Sequence, residues 1–398
     1  MRLLIVSDCG VPTGYGRIAD EIGTRLHQRG HEIVAASFAY DGLLPPRLNM
    51  RSVLPYHVAT LQNNPNEVWA KKVGMMARVT NPELVLVIQD MPYAEALYYL
   101  SNIDWSVQRF GIITPVDGTP ISPTWLRVMQ QADLRMTISE FGVQAYRNQG
   151  ISVGLCRPGI DPNYFVPRNA VDRADLRAKV GIAQETFVVG TMSQNQGRKA
   201  IPHMMEMFFA FAKDKPNARY LLDCERVSPA GWNLPELCAQ NDWPMDKIIF
   251  RDQINSVIPD LADRYNLLDA FMLISHREGY GIPLVEAMAC GVPVIAMDYC
   301  SGTEICGDTG GQRRGLLVPP IEYFGYSTWG GAYDRFPRVD AGIEALEILY
   351  GNHGVRANLS HYGREWARTH TWDSAADSLE NLLNILSAQI HQEKVSGR

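Results

Sequence analysis

The chain has 398 residues, of which 46% are hydrophobic and 20% are charged, a composition typical of a folded protein with more than one core. Its net charge is -6 and no block of Lys and Arg marks a basic face, which argues against nucleic-acid binding. Its seven cysteines are scattered without C-x-x-C spacing and indicate buried, reduced thiols in a cytoplasmic protein. No apolar run approaches the length of a membrane span, so we expect at most a peripheral contact with the inner membrane face.

Short apolar runs alternate with helical patterns in the first half of the chain. This alternation predicts a parallel sheet covered by helices on both faces. Predicted helices are Arg17–Arg29 and Trp125–Gln131. The predicted strands are Leu3–Val6, Glu32–Phe38, Leu84–Gln89, Phe110–Thr114 and Leu134–Ile138.

The same alternation restarts near Phe187, after the Pro- and Gly-rich stretch Arg157–Arg168, which is typical of an interdomain connection. We therefore expect an α/β protein with domains at 1–165 and 166–373. Residues 374–398 form a last helix, with Asp373 as its N-cap, that packs back on the first domain. Predicted strands of the second domain are Phe187–Thr191, Tyr220–Asp223, Lys247–Phe250, Ala270–Ser275 and Val292–Ala296.

The most informative stretch runs from His276 to Ile295. A strand ends near Ser275, a Gly-rich loop follows, and a helix begins at about Pro283. The loop amides and the helix N-terminus would form an anion site suited to a pyrophosphate. Glu278 would accept hydrogen bonds from sugar hydroxyls, and Glu286, in the first helical turn, would reach a ribose diol.

Glu278 and Glu286, with seven residues between them in the setting E-G-Y-G-I-P-L-V-E, resemble the E-x7-E signature of the retaining GT-B glycosyltransferases of family 4. The resemblance runs from Leu3 to about Trp372. It implies two facing Rossmann-like domains with a central cleft, the first domain on the acceptor side and the second on the donor side. It assigns donor contacts to Gly279, Tyr280, Gly281, Ile282, Pro283, Leu284 and Glu286.

A basic pair, Arg198 and Lys199, follows the predicted strand Phe187–Thr191. It resembles the family element that grips the donor diphosphate, where positive charge stabilises the leaving group without a metal. Many relatives carry another arginine where this chain has Ser193, which leaves the division of roles within the pair open.

Two N-terminal motifs resemble the family's loops on the other side of the cleft, and the resemblance implies that Gly14 and Gly16 face the donor phosphates and the acceptor. Gly14 and Gly16 read as G-x-G-x-x-A, which also suits an NAD enzyme, but six to seven residues separate Ser7 from Gly14, more than a dinucleotide fingerprint normally has. Asp117 follows a strand where many relatives have His or Asp. It would orient or polarise the acceptor hydroxyl, or it is simply the Asp of an Asp-Gly turn.

One segment, Ile321–Arg338, departs from the family pattern and carries six aromatic residues. Its glycines predict an ordered loop or small hairpin rather than a core element. Such a density of aromatic side chains usually marks a contact surface, whether with another subunit, with the acceptor, or with the protein's own surface.

The resemblance implies transfer of a sugar from a UDP- or GDP-sugar to a hydroxyl acceptor, with retention of configuration. The acceptor would be a glycan, a lipid-linked sugar or a small molecule. We expect no metal and no further cofactor, and Glu278, Arg198, Lys199 and Asp117 are the candidate catalytic residues. A sugar-nucleotide epimerase, a phosphorylase, a DNA-modifying glycosyltransferase and a non-catalytic sensor are the alternatives. A homo-oligomer is compatible with the sequence.

Overall fold

The computed structural model describes residues 1–40, 54–61, 65–327 and 331–396, and divides into two compact units. The first unit comprises Met1–Gly159 and Trp372–Arg398, and the second comprises Ile160–Thr371. At the ends of the second unit, Ile160 pairs with Thr371 in a parallel bridge, and the N–H of Ile160 donates to the carbonyl oxygen of His370 at 2.9 Å. The chain therefore enters and leaves this unit at adjacent points.

The first unit alternates strands and helices along the chain, as the sequence predicts. Its strands are β1 (Arg2–Ser7), β2 (Glu32–Ser37), β3 (His57–Thr60), β4 (Leu84–Ile88), β5 (Arg109–Thr114), β6 (Leu134–Thr137) and β7 (Gly154–Leu155). The helices of the first unit that precede the second unit are α1 (Gly14–Gln28), α2 (Asn66–Thr80), α3 (Met91–Leu100), α4 (Pro123–Gln131) and α5 (Glu140–Arg147). The described strands form one parallel sheet in the order β3-β2-β1-β4-β5-β6-β7.

Helix α1 begins at Gly14, three residues before the predicted start at Arg17. The hydroxyl of Thr13 accepts a hydrogen bond from the Gly16 N–H at 2.9 Å, and this N-cap starts the helix early. Gly14 and Gly16 therefore lie in the first helical turn, not in a loop.

The second unit repeats the alternation. Its strands are β8 (Phe187–Met192), β9 (Ala218–Asp223), β10 (Ile248–Phe250), β11 (Ala270–Leu273), β12 (Val294–Met297), β13 (Asp308–Thr309), β14 (Gln312–Arg313), β15 (Gly315–Val318), β16 (Pro320–Tyr326) and β17 (Tyr333–Pro337). Its helices are α6 (Ala170–Lys179), α7 (Ile201–Phe211), α8 (Leu234–Gln240), α9 (Arg251–Ile254), α10 (Leu261–Asn266), α11 (Ile282–Ala289), α12 (Ser301–Cys306), α13 (Val339–Gly351) and α14 (His353–Arg368).

The main sheet of the second unit is parallel, with strand order β10-β9-β8-β11-β12-β15. All residues of β8, β11 and β12 are buried. The strand order reverses direction between the neighbouring strands β8 and β11. In open α/β sheets, ligands bind at the carboxyl ends of the strands at such a reversal.

The last helix, α15 (Trp372–Ser396), belongs to the first unit and packs against α1 and β6. It begins two residues before the predicted start, so the expectation that Asp373 is its N-cap is wrong. Asp373 lies in the first turn, where its carboxylate accepts a hydrogen bond from Nε of Arg25 at 3.0 Å. Trp372 is buried, and this apolar anchor extends the helix N-terminally.

The aromatic segment forms the small hairpin that its glycines predict, with β16 and β17 paired in antiparallel register. Trp329 and Gly330 of this segment lie outside the described residues. All seven cysteines are buried thiols, as expected. Among the described residues, no helix combines the length and the apolar character needed to cross a membrane.

Candidate functional site

Two loops meet at the carboxyl ends of β8 and β11. The first ends in a short 3-10 turn, Gly197–Lys199, and Ala200 then adopts a left-handed conformation (φ 51°) before α7 begins. The second holds residues 274–281. The N–H of His276 donates to the carbonyl oxygen of Arg198 at 2.8 Å, which joins the loops directly.

The structure brings Arg198, Lys199 and Glu278 together. Lys199 Nζ donates to Oε2 of Glu278 at 2.5 Å, and a nitrogen of Arg198 lies 3.7 Å from the same oxygen. The Lys199 side chain is 10% exposed and that of Arg198 is 35% exposed, so Arg198 offers more of its guanidinium to a ligand. Within the pair, Lys199 therefore mainly holds Glu278, and Arg198 is the more accessible cation.

The electrostatics of the site keep Glu278 ionised. Burial raises the pKa of its carboxyl, but the charges of Lys199 and Arg198 and the hydrogen bonds from Lys199 and Ser275 outweigh it, so the pKa lies below its ordinary value. The carboxylate can therefore accept hydrogen bonds across the neutral pH range.

One oxygen of Glu278 is left for a ligand. The contacts that its side chain makes with described residues, from Lys199, Ser275 and Arg198, all go to Oε2. The side chain is 16% exposed, so Oε1 can accept a hydrogen bond from a molecule outside the chain.

The glycine loop turns sharply into α11. Gly281 has φ +92°, and a Cβ on it would lie 3.1 Å from Cδ1 of Leu284 and 3.5 Å from Cγ of Glu278. The helix begins at Ile282 with Pro283 in its first turn. Gly279 and Tyr280 are buried, whereas Ile282 and Pro283 are partly exposed.

Glu286 lies deeper than predicted. It is the fifth residue of α11 and therefore not in the first turn, and it is 2% exposed. Its Oε2 accepts a hydrogen bond from the hydroxyl of Tyr265 on α10 at 2.7 Å. The placement in the first turn is wrong because Gly281, and not Ile282, precedes the helix; the assignment to a ribose stays a prediction.

Further polar atoms surround this edge of the sheet. Within the described chain, Oγ of Ser193, Nδ1 of His203 and Nε2 of His276 are buried and have no hydrogen-bond partner. Burial and the charge of the neighbouring imidazole lower the pKa of His276 to about 4, so its ring is neutral at pH 7. Buried polar atoms without partners are costly in a finished core and suit a place that receives water or a ligand.

The first unit has its own reversal of strand order, between β1 and β4. The loops that follow these strands are joined by a hydrogen bond from Nε2 of Gln89 to Asp8 at 3.1 Å. A Cβ on Gly16 would lie 2.0 Å from the carbonyl oxygen of Val11, so the loop itself requires this glycine. Gly14 has open space around the same position and is the residue of the pair that a ligand can approach.

Asp117 lies in the loop after β5 and is half-buried, as are Pro115 and Thr119 beside it. Its role in binding or catalysis stays a prediction. Among the described residues, no group of three or more His, Cys, Asp or Glu side chains is arranged to hold a metal ion.

Some residues of the site carry no motif signal. Asn195 shapes the loop before Arg198: its side chain donates to the carbonyl oxygens of Glu225 and Trp232 and accepts from the Trp232 N–H. Ser275 bonds Glu278, and its position at a strand end was the only signal that could have indicated it.

Comparisons with known proteins agree with the motif. Residues 238–322 match the model of the family "Glycosyl transferases group 1". A D-inositol 3-phosphate glycosyltransferase of Mycobacteroides abscessus is 29% identical over 231 residues, 57% of this chain and 45% of that protein. An N-acetyl-alpha-D-glucosaminyl L-malate synthase of Bacillus anthracis is 26% identical over 382 residues, 88% of this chain and 89% of that protein. The chain spans about half the length of the inositol phosphate glycosyltransferases that it matches.

Solved structures resemble the whole chain. Sucrose-phosphate synthase from Thermosynechococcus elongatus has a TM-score of 0.76 at 19% identity and covers 98% of this chain and 100% of its own. The Anabaena protein HepE in complex with UDP-glucose has a TM-score of 0.73 at 18% identity, with the same coverage. These likenesses show the GT-B fold that the sequence predicts.

Proposed function

We propose that this chain, which belongs to the group 1 glycosyl transferases, transfers a sugar from a nucleoside diphosphate sugar to a hydroxyl acceptor, with retention of the anomeric configuration. The observation that carries the proposal is the carboxylate of Glu278, which is fixed through Oε2 by Lys199 and has Oε1 left to accept a hydrogen bond from a sugar hydroxyl.

The leaving group is a diphosphate, which gains negative charge as the glycosidic bond breaks. Arg198 and Lys199 stabilise this charge, with Arg198 as the more exposed of the two. The backbone N–H groups of Gly281 and Ile282, at the start of α11, add a second source of positive potential. Because the departing phosphate itself takes the proton of the acceptor hydroxyl, no separate protein base is needed.

The other assigned residues complete the donor and acceptor contacts. Gly279, Tyr280 and Leu284 line the donor loop, and Glu286, whose Oε2 accepts a hydrogen bond from Tyr265, receives the ribose. In the first domain, we assign Gly14 to the donor phosphates and Asp117 to the orientation of the acceptor hydroxyl.

The first substrates to test follow from the relatives. HepE was solved with UDP-glucose, so UDP-sugars should be tested as donors before GDP-sugars. The names of the two sequence relatives contain D-inositol 3-phosphate and L-malate, which are small hydroxyl compounds carrying an acidic group. Small acidic alcohols should therefore be tested as acceptors before glycans and lipid-linked sugars. An oligomer through the exposed aromatic side chains of β16 and a peripheral contact with the inner membrane face are secondary proposals.

A donor screen tests the proposal. Purified protein is incubated with a panel of UDP- and GDP-sugars, with and without acceptor pools, and released nucleoside diphosphate and product configuration are measured. Acceptor-dependent release with a retained linkage is the expected result. Isomerised donor without acceptor would indicate an epimerase, and tight donor binding without any turnover would indicate a sensor; either outcome would refute the transfer reaction.

A further inference from the structure

The hairpin of β16 and β17, which the family resemblance does not explain, lies against the loop that carries Glu278. The backbone N–H of Arg335 donates to the carbonyl oxygen of His276 at 3.2 Å. The ring of Phe336 packs on the ring of His276 with centroids 4.6 Å apart, and His203 stands beside both. The second strand of the hairpin is therefore in contact with the loop two residues before Glu278.

An ion pair adds to these contacts. Nε of Arg277 donates to Oδ1 of Asp334 at 2.5 Å, and the Arg277 side chain is 6% exposed. A guanidinium at this depth is costly to leave without a carboxylate, and a charge-assisted hydrogen bond fixes its direction. Asp334 consequently ties the side chain next to Glu278 to the hairpin.

The backbone of the same residues faces the basic pair. A guanidinium nitrogen of Arg198 donates to the carbonyl oxygen of Arg277 at 3.3 Å, and the His276 N–H donates to the carbonyl oxygen of Arg198. Residues 276–278 are therefore held by the hairpin on one side and by the Arg198 loop on the other. A displacement of Arg277 moves both the carboxylate of Glu278 and a hydrogen-bond partner of Arg198.

We propose that Asp334 is a positioning residue that holds, through Arg277, the Glu278 loop in the geometry that sugar transfer requires. Its catalytic consequence rests on the proposed function, whereas the ordering of the loop does not. The two strands of the hairpin then differ. On β17, Phe336 and Asp334 support the donor loop, whereas Tyr323 and Tyr326 on β16 are exposed to solvent.

The test compares Asp334→Asn, which keeps the shape and removes the charge, with a matched control. Asp340→Asn removes the partner of Arg338 in a neighbouring ion pair, but that pair is exposed, with the side chains of Arg338 and Asp340 51% and 69% accessible. Hydrogen exchange of the amides in 276–281 is measured by mass spectrometry for wild type and both variants. Turnover and KM are measured with the donor that the wild type uses.

In Asp334→Asn we expect the 276–281 amides to exchange at least about threefold faster, because the loop loses one of the ion pairs that hold it. We expect kcat to fall about tenfold, with KM for the donor within about threefold, since small displacements of a catalytic group mainly affect the chemical step. Asp334→Glu keeps the charge and restores part of both properties, and Asp340→Asn stays at wild-type values.

Two results separate the hypotheses. If Asp334→Asn and Asp340→Asn show the same exchange at 276–281, Asp334 does not hold the loop and the inference is refuted, whatever the activity. If wild type turns over no donor but exchange rises in Asp334→Asn alone, the proposed function fails and the structural inference stands. Should Asp334→Asn not fold, Phe336→Leu, which removes the ring contact with His276, is subjected to the same comparison and the same criterion.

Discussion

Lys199 and Glu278 form a salt bridge of 2.5 Å between loops that are 79 residues apart in sequence. The contact joins the carboxyl ends of β8 and β11, the two neighbouring strands from which chain order runs outward. Because each group sets the electrostatics of the other, a substitution at either position changes both.

Glu278→Gln should reduce turnover by at least about tenfold, because a charge-assisted hydrogen bond contributes about 1.5–3 kcal/mol and each 1.4 kcal/mol is a decade in rate. Glu185→Gln, at an exposed position in the same unit, is the matched control. Rates are compared after circular dichroism has shown that both variants fold. Near-normal turnover in a folded Glu278→Gln protein would show that Glu278 has no role in sugar transfer.

Arg198→Ala and Lys199→Ala should each weaken binding of the nucleoside diphosphate more than binding of the free nucleoside, since the lost contact is to phosphate. Titration calorimetry with both ligands measures the difference. Lys179→Ala is the control, because Lys179 forms an exposed pair with Asp175. Equal losses for the two ligands would place these cations away from the diphosphate.

Transfer activity should survive a chelator. In the proposed site, Arg198 and Lys199 supply the positive charge that a divalent metal supplies in other glycosyltransferases. The measurement is the rate of nucleoside diphosphate release before and after treatment with EDTA. Loss of activity that added Mn²⁺ or Mg²⁺ restores would show that the donor diphosphate is bound through a metal.

Asp20 in α1 should make the folded protein less stable as the pH rises from about 4 to about 7. Burial and the charges of Glu21 and Asp8 raise the pKa of its carboxyl, and the Gly10 N–H, 3.0 Å from both oxygens, opposes them; together they bring the pKa to about 7. The folded chain therefore keeps this proton up to about pH 7, whereas the unfolded chain releases it near 3.8. Stability from this group is fully present below pH 3.8 and is lost as pH rises through 7.

Asp20→Asn, which stays neutral, should accordingly be more stable than wild type at pH 8, by on the order of 1–4 kcal/mol, and the difference should shrink towards pH 5. Urea unfolding at both pH values measures it, with the exposed Asp246→Asn as control. The same difference from wild type at pH 5 and at pH 8 would contradict the assignment.

The sequence predicted the position of candidate residues that follow buried strands, whereas their roles stay predictions. Because β8 and β11 are short and mostly apolar, their ends could be located, and with them Arg198, Lys199 and Glu278. The errors lie where one side chain or glycine decides a boundary. Thr13 starts α1 early, Trp372 extends α15 past Asp373, and Gly281 moves Glu286 out of the first turn.

Contacts between distant segments had no signal in the sequence. Arg277 and Asp334 are 57 residues apart, and neither is a candidate site residue in the sequence, so their pairing appears only in the folded chain. The departure of Ile321–Arg338 from the family pattern indicated that the segment was unusual, but not that its second strand supports the donor loop.

The two units differ in how much of the chain each needs in order to fold: the second is one continuous segment, and the first is made of two. The second unit, residues 160–371, is an insertion within the first. Its own two ends meet, because Ile160 pairs with Thr371. The first unit, in contrast, is assembled from segments before and after the second, with Leu379 and Leu383 of α15 in its interior. A nascent chain can therefore complete its second Rossmann-like unit before its first, and the N-terminal unit is finished only when the last helix has been synthesised.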